Sequence, residues 1–353
     1  MKVITIHPPY PSCDDNRNVY VDGNRNYFCR LCNRGVDDSP DEGGTHYNDP
    51  TRRAELADER VTDRPKIKAL APWFGGKRTL APRIVEELGD HVAYWEPFCG
   101  SMAVLFAKPR ARMETVNDLH GDLINLARVV ADDGLAPKLF ARCLRTLNTE
   151  AFVEEFRATH DASPVDGPPD LDRAWRYFTL SWQARNGSAG TAVGNITQAR
   201  RYTHNGGCGG LRWRSAVESI PAWFERLRAV VIRCADGIEM LERIADQEGS
   251  ALYIDPPYLS KGTKYVYDFQ AADHERLAGV LRRFRLARVV VSYYDDPRLA
   301  DLYPGWTKRS VAITKGLVNQ GRRDQRGATK APEVLLVNGP SYAQTPAQPR
   351  RLF

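Results

Sequence analysis

The chain has 353 residues, of which 42% are hydrophobic and 27% charged, and its formal net charge is +6 at pH 7. This length accommodates one large domain with an insertion, or two domains. No segment approaches the roughly 20 consecutive apolar residues that span a bilayer, and the first residues lack the apolar stretch of a signal peptide. We therefore expect a soluble intracellular protein with no membrane partner.

Arginine residues occur in short clusters along the chain. Clustered positive charge favours a polyanionic partner, because binding releases counterions that are condensed on the polyanion. The alternative is a solvated surface in an arginine-rich protein. The clusters are Arg200 with Arg201, Arg212 with Arg214, Arg282 with Arg283, and Arg322 and Arg323 with Arg326.

Residues 1–65 differ from the rest of the chain, because they are rich in Asp, Asn, Arg and Gly and poor in aliphatic residues. We interpret them as an accessory extension. Cys29 and Cys32 form a CxxC pair, and Cys13 and His46 could complete four zinc ligands. A second tight pair is missing, so a disordered extension with incidental cysteines is the alternative. The seven cysteines of the chain, odd in number and scattered, argue against a disulfide framework.

Strands and helices alternate between residues 66 and 136. Such alternation predicts an α/β fold with a parallel, doubly wound, Rossmann-like sheet. The predicted elements are a loop at 72–77 that opens a helix ending near Leu88, a strand at 93–96, a helix at 101–107, a strand at 115–117 and a helix at 123–130.

Residues 137–228 break this alternation, because helical patterns dominate them. We predict an inserted helical domain that carries a basic loop. Its predicted elements are helices at 139–147, 149–158 and 171–184, a Gly/Asn-rich loop at 186–210 and an amphipathic helix at 216–228.

Alternation resumes at residue 229 and continues to residue 339, which we assign to the same sheet as residues 66–136. The Pro/Gln-rich tail at 340–353 is predicted to be disordered. The predicted elements are strands at 230–233, around Leu252, at 289–292, at 309–314 and at 333–337, with a helix at 274–284.

The most informative motif is the apolar run 252–254 followed by Asp255, Pro256, Pro257 and Tyr258. The run predicts a buried strand, and the two prolines end it and stiffen the chain that follows. Open α/β sheets bind their ligands at the carboxyl ends of such strands. A carboxylate and a backbone carbonyl there suit the hydrogens of an exocyclic amine, and a flat ring suits stacking on a planar base. The alternative is a strand with a proline-rich turn.

Two further motifs indicate a nucleoside cofactor. The strand at 93–96 leads into a turn with one glycine, Gly100, where GxGxxG would be needed for a nicotinamide dinucleotide. Asp118 ends the next strand, about 20 residues further on, where an acid is placed to bind ribose hydroxyls. Upstream, Gly75 and Gly76 lie between an aromatic residue and Lys77, a lysine that can pair with a carboxylate.

Together these motifs resemble the D12 class of DNA adenine-N6 methyltransferases in its alpha motif order, from about residue 69 to 338. The resemblance implies methyl transfer from S-adenosylmethionine to N6 of an adenine flipped out of double-stranded DNA. Residues 137–228 would then be the target-recognition insertion. A monomer is expected, in the cytoplasm of a bacterium or a phage-infected host and associated with the nucleoid through DNA.

The resemblance also implies roles for individual residues. Catalysis is expected at Asp255, Pro256, Pro257 and Tyr258. Cofactor binding is expected at Trp73, Lys77, Glu96, Pro97, Phe98, Gly100, Asp118, Asp236 and Asp255. DNA contacts are expected at Arg185, Arg200, Arg201, Arg212, Arg214, Arg322 and Arg323. Tyr265, Tyr267 and Phe269 are candidates for the wall of the base pocket, with core packing as the alternative.

The chain departs from the family pattern at two places. Met102 replaces a second glycine that many members have in the cofactor turn, and residues 182–211 follow the recognition segment only loosely. Three other functions stay open at this point: methylation of cytosine N4, RNA or protein; DNA binding without catalysis; and a metal-dependent nuclease, which lacks clustered acids here. Restriction–modification, phage self-protection and housekeeping roles are equally open.

Overall fold

A seven-stranded sheet organises the computed structural model, which describes residues 19–21, 27–29, 35–36, 68–73, 75–184, 209–259, 266–311, 313–314 and 330–344. In spatial order its strands are β6 (Val231–Arg233), β5 (Met113–Asn117), β4 (Ala93–Glu96), β7 (Ser250–Ile254), β8 (Arg288–Tyr294), β12 (Glu333–Val337) and β9 (Thr307–Ser310). Only β12 runs antiparallel to its neighbours. The mixed, mostly parallel α/β sheet confirms the predicted fold class.

The central strands are apolar because both faces of the sheet are covered. All five residues of β7 are buried, and so are all five of β12. Such continuous burial is typical of strands in α/β sheets that are covered on both faces. Strand order reverses between β4 and β7, which pair in parallel with Trp95 opposite Leu252. Ligands of open α/β sheets bind at such a reversal, outside the carboxyl ends of the strands.

The described helices fall into two groups around this sheet. One helix, α1 (Ala81–Leu88), precedes the first strand of the sheet, and the helices that connect its strands are α2 (Ala103–Ala107), α3 (Gly121–Ala131), α9 (Gly237–Glu242), α10 (Ala271–Leu281) and α11 (Leu299–Leu302). Those between β5 and β6 that follow α3 are α4 (Ala136–Leu144), α5 (Glu150–Ala158), α6 (Leu171–Gln183), α7 (Gly209–Glu218) and α8 (Ile220–Leu227). None of the described helices has the length and hydropathy to cross a membrane.

The second group packs directly on α3, mainly through α6 and α8. Its apolar residues, among them Phe156, Phe178 and Trp223, belong to the same buried cluster as Tyr94 of β4 and Val116 of β5. The helices that the sequence predicts as an inserted domain therefore share a hydrophobic core with the sheet, and no separate recognition domain is shown.

Several boundaries differ from the predictions for local reasons. The helix predicted at 216–228 is two helices, α7 and α8, because Pro221 lies in the first turn of α8, where its missing N–H is tolerated, and would interrupt a continuous helix. Gly209 and Gly210, predicted as loop, begin α7. The strand predicted at 309–314 is divided: β9 ends at Ser310, and β10 (Ile313–Thr314) pairs instead with β11 (Lys330–Ala331).

The two ends of the chain are described in part. In the N-terminal extension, β1 (Val19–Val21), β2 (Tyr27–Cys29) and β3 (Gly35–Val36) form a small antiparallel sheet. Near the other end, the predicted disordered tail begins with ordered residues: Ser341 donates a hydrogen bond to Glu87 of α1, and residues Tyr342–Gln344 form a 3-10 helix. Residues 345–353 lie outside the described residues.

Candidate active site

A cleft of about 720 Å3, counted with its open mouth, lies at the carboxyl ends of β4, β5 and β7. Its lining residues are Trp73, Gly75, Pro97, Phe98, Gly100, Asp118, Leu119, His120, Gly237, Asp255, Pro257, Val266, Tyr267 and Phe269. Predicted residues from four separate motifs therefore meet in one cleft.

The floor of the cleft is a turn held by Asp118. One carboxylate oxygen of Asp118 accepts the backbone N–H of Gly100 at 2.9 Å, and the other accepts that of His120 at 3.0 Å. Gly100 has φ +43°, and a Cβ on it would lie 2.8 Å from Nε1 of Trp73. Only glycine fits this conformation and this contact. Burial raises the pKa of the Asp118 carboxyl.

Asn117, buried just before Asp118, joins three loops beneath the cleft. Its side-chain nitrogen donates to the carbonyls of Pro97 and Ala235, and its side-chain oxygen accepts from the backbone N–H of Ala235. These bonds fix the ends of β4, β5 and β6 relative to one another. The sequence motif placed Asn117 here, but its bridging role depends on the strand order.

An aromatic wall closes one side of the cleft. The rings of Phe98 and Phe269 meet edge to face at 5.7 Å. The Tyr267 hydroxyl donates to the carbonyl of Ala162, in the loop between α5 and α6, at 2.9 Å. That carbonyl also accepts the backbone N–H of Gly121 at 2.8 Å. The helical region therefore contacts the cleft wall directly.

Asp255 carries the charge at the cleft's edge and is held by two side chains. Nζ of Lys77 lies 2.9 Å from its Oδ2, and the Tyr258 hydroxyl donates to its Oδ1 at 3.3 Å. The same hydroxyl donates to Glu333 of β12 at 2.5 Å, and Lys77 also approaches Glu333 at 3.4 Å. Lys77 and Tyr258 are thus shared between two carboxylates.

Burial perturbs the acids of this region. It raises the pKa of Asp255 to about 6, although Lys77 opposes the rise and Glu333 adds to it. It raises the pKa of Glu96 to about 8, against the hydrogen bond from Tyr94 and with a contribution from Asp255. Strongly shifted acids at the edge of a cleft are typical of functional sites.

Comparison with known proteins agrees with this geometry. Residues 73–314 match the family described as D12 class N6 adenine-specific DNA methyltransferase. The chain is also 26% identical over 287 residues to the retron Ec67 DNA adenine methylase of Escherichia coli, an alignment that covers 77% of this chain and 92% of that protein. The matched family spans more than half of the chain.

The chain belongs to the D12 class of DNA adenine-N6 methyltransferases. It is therefore a DNA adenine methyltransferase that depends on S-adenosylmethionine, as the motifs predicted, and cytosine, RNA and protein acceptors are no longer alternatives.

The cleft of this D12 methyltransferase fits the cofactor that its family uses. A nucleoside needs aromatic surface for its base and an acid for its ribose, and the cleft supplies Phe98 and Phe269 for the first and Asp118 for the second. Gly100 has no side chain, so the Trp73 indole can lie against this turn, where a Cβ would come within 2.8 Å of its Nε1. A negative group, Asp255, lies at the same cleft and suits a sulfonium cation.

Some predicted site residues lie beside the cleft instead of lining it. Lys77 and Glu96 are buried below Asp255 and the turn. The Tyr258 ring is 4% exposed and packs edge to face on Tyr294 at 4.6 Å, so its stacking on a base stays a prediction. Asp236 caps α9 by accepting the backbone N–H groups of Ile238 and Glu239.

The other predicted residues are only partly described. Arg212 donates to the carbonyl of Ala184 at 2.7 Å, which places it at the end of α6. Arg214 is exposed and pairs with Glu218. The predicted residues outside the described ranges are Cys13, Cys32, His46, Arg185, Arg200, Arg201, Tyr265, Arg322 and Arg323. Of Cys29, only the backbone at the end of β2 is described, and nothing shows zinc among the described residues.

Sequence reasoning missed three participants. Leu119 and His120 line the cleft because they follow Asp118 at the strand end, a position that the motif already indicated. Glu333 was predicted only as the first residue of a strand. Its place beside Tyr258 depends on the antiparallel return of β12, and local sequence carries no signal for that pairing.

Proposed function

We propose that this cleft binds S-adenosylmethionine and a flipped adenine side by side, with Asp255 and the Pro256 carbonyl holding the N6 amine. The observation that carries the proposal is the position of Asp255. It lies at the end of β7, borders the cleft, and is fixed by Lys77 at 2.9 Å and by Tyr258 at 3.3 Å. An acceptor fixed in advance avoids reorganisation during the reaction.

The residues of the chain act mainly by positioning and by stabilising charge. When bound, the cofactor supplies a methyl group that its sulfonium has already activated. The adenine N6 lone pair would form the new bond to the methyl carbon as the carbon–sulfur bond breaks with its electron pair left on sulfur, and the positively charged N6 would then release one proton to water. Asp255 would accept a hydrogen bond from N6 and stabilise the positive charge that develops on it.

The cofactor-binding roles divide between two sides of the cleft. The Asp118 carboxylate accepts backbone N–H groups, among them those of Gly100 and His120, and with about four acceptor sites in all it retains capacity for ribose hydroxyls. Phe98 and Phe269 offer faces and edges for the adenine of the cofactor. Asp236 would reach that adenine from the start of α9, since its neighbour Gly237 lines the cleft.

We assign DNA recognition to the helical region 137–228, with its basic loop. Two observations support this. The loop between α5 and α6 contacts the cleft wall through the bond from Tyr267 to Ala162. The exposed Arg214 lies on α7, directly after the undescribed residues 185–208 that contain Arg200 and Arg201. Basic side chains of this region would suit the phosphates of the duplex that flanks the flipped base.

The test of this proposal is the variant Asp255→Asn, which keeps the size of the side chain and removes its charge. We expect methyl incorporation into DNA to fall by at least about 10²-fold, while binding of S-adenosylhomocysteine, measured by calorimetry, persists. The control is Asp301→Asn, an exposed aspartate of α11, which should methylate like the unaltered protein. N6-methyladenine is measured by mass spectrometry of nucleosides. Normal methylation by Asp255→Asn would refute the assigned role.

A further inference from the structure

Glu333 lies in a position that the matched family segment does not include. That segment ends at residue 314, whereas Glu333 is the first residue of β12. Because β12 is antiparallel to β8 and β9, its first residue lies at the sheet edge where the parallel strands end. Glu333 is opposite Tyr294 in the register with β8 and is 5% exposed. The fold thus brings a buried carboxylate to the catalytic edge from outside the recognised motifs.

The contacts of Glu333 are those of Asp255. The Tyr258 hydroxyl donates to Glu333 at 2.5 Å and to Asp255 at 3.3 Å. Nζ of Lys77 lies 3.4 Å from Glu333 and 2.9 Å from Asp255. The Lys77 ammonium also lies 5.0 Å from the centre of the Tyr258 ring. Two acids therefore share one hydroxyl and one ammonium, so the position of each donor depends on both acids.

This sharing has an electrostatic consequence. A lysine paired with a single carboxylate would neutralise it, and the carboxylate would become a weak acceptor for a cationic amine. With Glu333 present, Lys77 faces two carboxylates, and the three groups together carry a net negative charge when both acids are ionised. A site with surplus negative charge suits a reaction whose transition state is cationic.

We propose that Glu333 is a positioning residue for methyl transfer: it holds Tyr258 and shares Lys77, and so fixes Asp255 while leaving its charge incompletely neutralised. This inference rests on the proposed function, because it acts through Asp255. Glu333 does not line the cleft, so it is not expected to touch the cofactor or the base.

Several charged and titratable groups face Asp255 from the surrounding elements. Their contributions set the pH at which Asp255 ionises. They are Lys77 from the loop before α1, Glu96 from β4, Tyr253 from β7, Tyr258 from the loop after β7, Tyr293 and Tyr294 from β8, and Glu333 from β12. Glu333 raises the pKa of Asp255, whereas the Lys77 charge and the Tyr258 hydrogen bond lower it.

The experiment compares pH profiles of kcat for the full-length enzyme with DNA as acceptor. In the unaltered protein we expect activity to fall as pH drops through about 6, since Asp255 must be ionised. In Glu333→Gln the amide oxygen still accepts from Tyr258 but the charge is gone. We expect kcat to fall by about 10²-fold and the acid limb to move to lower pH by about one unit. Binding of S-adenosylhomocysteine should change by less than about twofold, because its thioether sulfur, unlike a sulfonium, carries no charge for Glu333 to attract.

A second variant keeps the inference testable if Glu333→Gln does not fold. Tyr258→Phe removes the hydroxyl and retains both charges. It should move the acid limb of kcat in the opposite direction, to higher pH, because the hydrogen bond that lowers the pKa of Asp255 is lost. If the network had a purely structural role, the acid limb of kcat would not move in either variant.

The matched control is Glu87→Gln. Glu87 is another fully buried glutamate, and it pairs with Arg288 and Arg309 away from the cleft. The acid limb of the kcat profile of Glu87→Gln should lie at the same pH as that of the unaltered protein. If Glu333→Gln keeps the unaltered profile, or if Glu87→Gln shifts as far, the role of Glu333 is refuted. If Asp255→Asn methylates normally, the proposed function fails instead, so the two failures are distinguishable.

Discussion

Glu96 shows how burial sets the state of a single side chain. It lies at the end of β4, is 1% exposed, and accepts a hydrogen bond from Tyr94 at 2.9 Å. Because burial raises its pKa to about 8, the group is mostly a neutral acid at pH 7 in the folded protein and ionised in the unfolded chain. Because only the folded state binds this proton near pH 7, the free energy of unfolding depends on pH.

The sign of this dependence can be tested with Glu96→Gln. The folded pKa is above the unfolded value, so the stabilising contribution of Glu96 is complete below about pH 4.5 and is lost as pH rises towards 8. Glutamine has no such dependence. We expect the unfolding free energy of the variant, relative to the unaltered protein, to rise by up to about 1.4 kcal/mol per pH unit in this interval. Urea unfolding at pH 5.5 and 7.5 measures it.

The exposed Glu86 provides the control for this pH effect. Glu86→Gln should give a free-energy difference that stays constant between the two pH values, because Glu86 is largely exposed where it pairs with Arg309. Parallel stability curves for Glu96→Gln and the unaltered protein would show that Glu96 is ionised when folded.

Individual site residues could be predicted from sequence where they directly follow a predicted strand. Asp255 follows an apolar run, Asp118 follows a predicted strand, and the structure places both at the cleft. Asp236 was interpreted as a ligand, but Asp236 with Glu239 three residues later is also the pattern that begins a helix, and that signal would have predicted α9. Partners that only the tertiary fold brings together, such as Tyr267 and Ala162, have no local sequence pattern that predicts their contact.

At the scale of elements, the start of α3 is packed against the loop between α5 and α6. A Cβ on Gly121 would lie 1.8 Å from the carbonyl oxygen of Ser163, which is backbone and cannot turn aside. Gly121→Ala should therefore force the loop away from α3 and destabilise the protein by about 1–3 kcal/mol. The displaced loop also carries the Ala162 carbonyl that Tyr267 binds, so KM for the cofactor should rise.

The same substitution in another helix separates the clash from the loss of glycine. A Cβ on Gly279 of α10 would meet nothing within 4 Å. Gly279→Ala should leave KM unchanged and stabilise the protein by roughly 0.5–1 kcal/mol, since alanine favours the helix. Thermal unfolding and initial rates measure both variants. Equal stability of the two would contradict the packing of the loop on α3.

The predicted bounds agree with the structure for the buried strand β12, and they differ for β9 at the edge of the sheet. The strand predicted near 333–337 is β12, and four of its five residues are apolar. The residues of β9 alternate in exposure at the edge of the sheet, so their pattern gave no clear end and the prediction ran on through Ile313. Pro221 was a visible helix boundary, although the amphipathic pattern continues across it.

For the whole molecule, the net charge of +6 matters through its distribution. Replacing both Arg200 and Arg201 with alanine should weaken DNA binding and reduce the salt slope of log K by about two, since each phosphate contact contributes roughly 0.9. The measurement is fluorescence anisotropy with duplex DNA over a range of salt concentrations.

A pair on the opposite side of the sheet is the control. Arg112 and Arg285 are exposed and precede β5 and β8, so they lie at the amino ends of the strands, away from the cleft. Replacing both removes the same charge from the molecule. An equal loss of slope in the two double variants would mean that net charge, and not contact by Arg200 and Arg201, governs binding.

The antiparallel strand β12 also has a consequence for how the chain folds while the ribosome makes it. The ribosome makes Lys77 well before Glu333, yet Lys77 contacts both Asp255 and Glu333. Emerging chain folds from its N-terminal side first, so Asp255 lacks its carboxylate neighbour Glu333 while residues 256–332 are made. A polypeptide released prematurely, before β12, would carry every recognised motif and still lack the strand that completes the network.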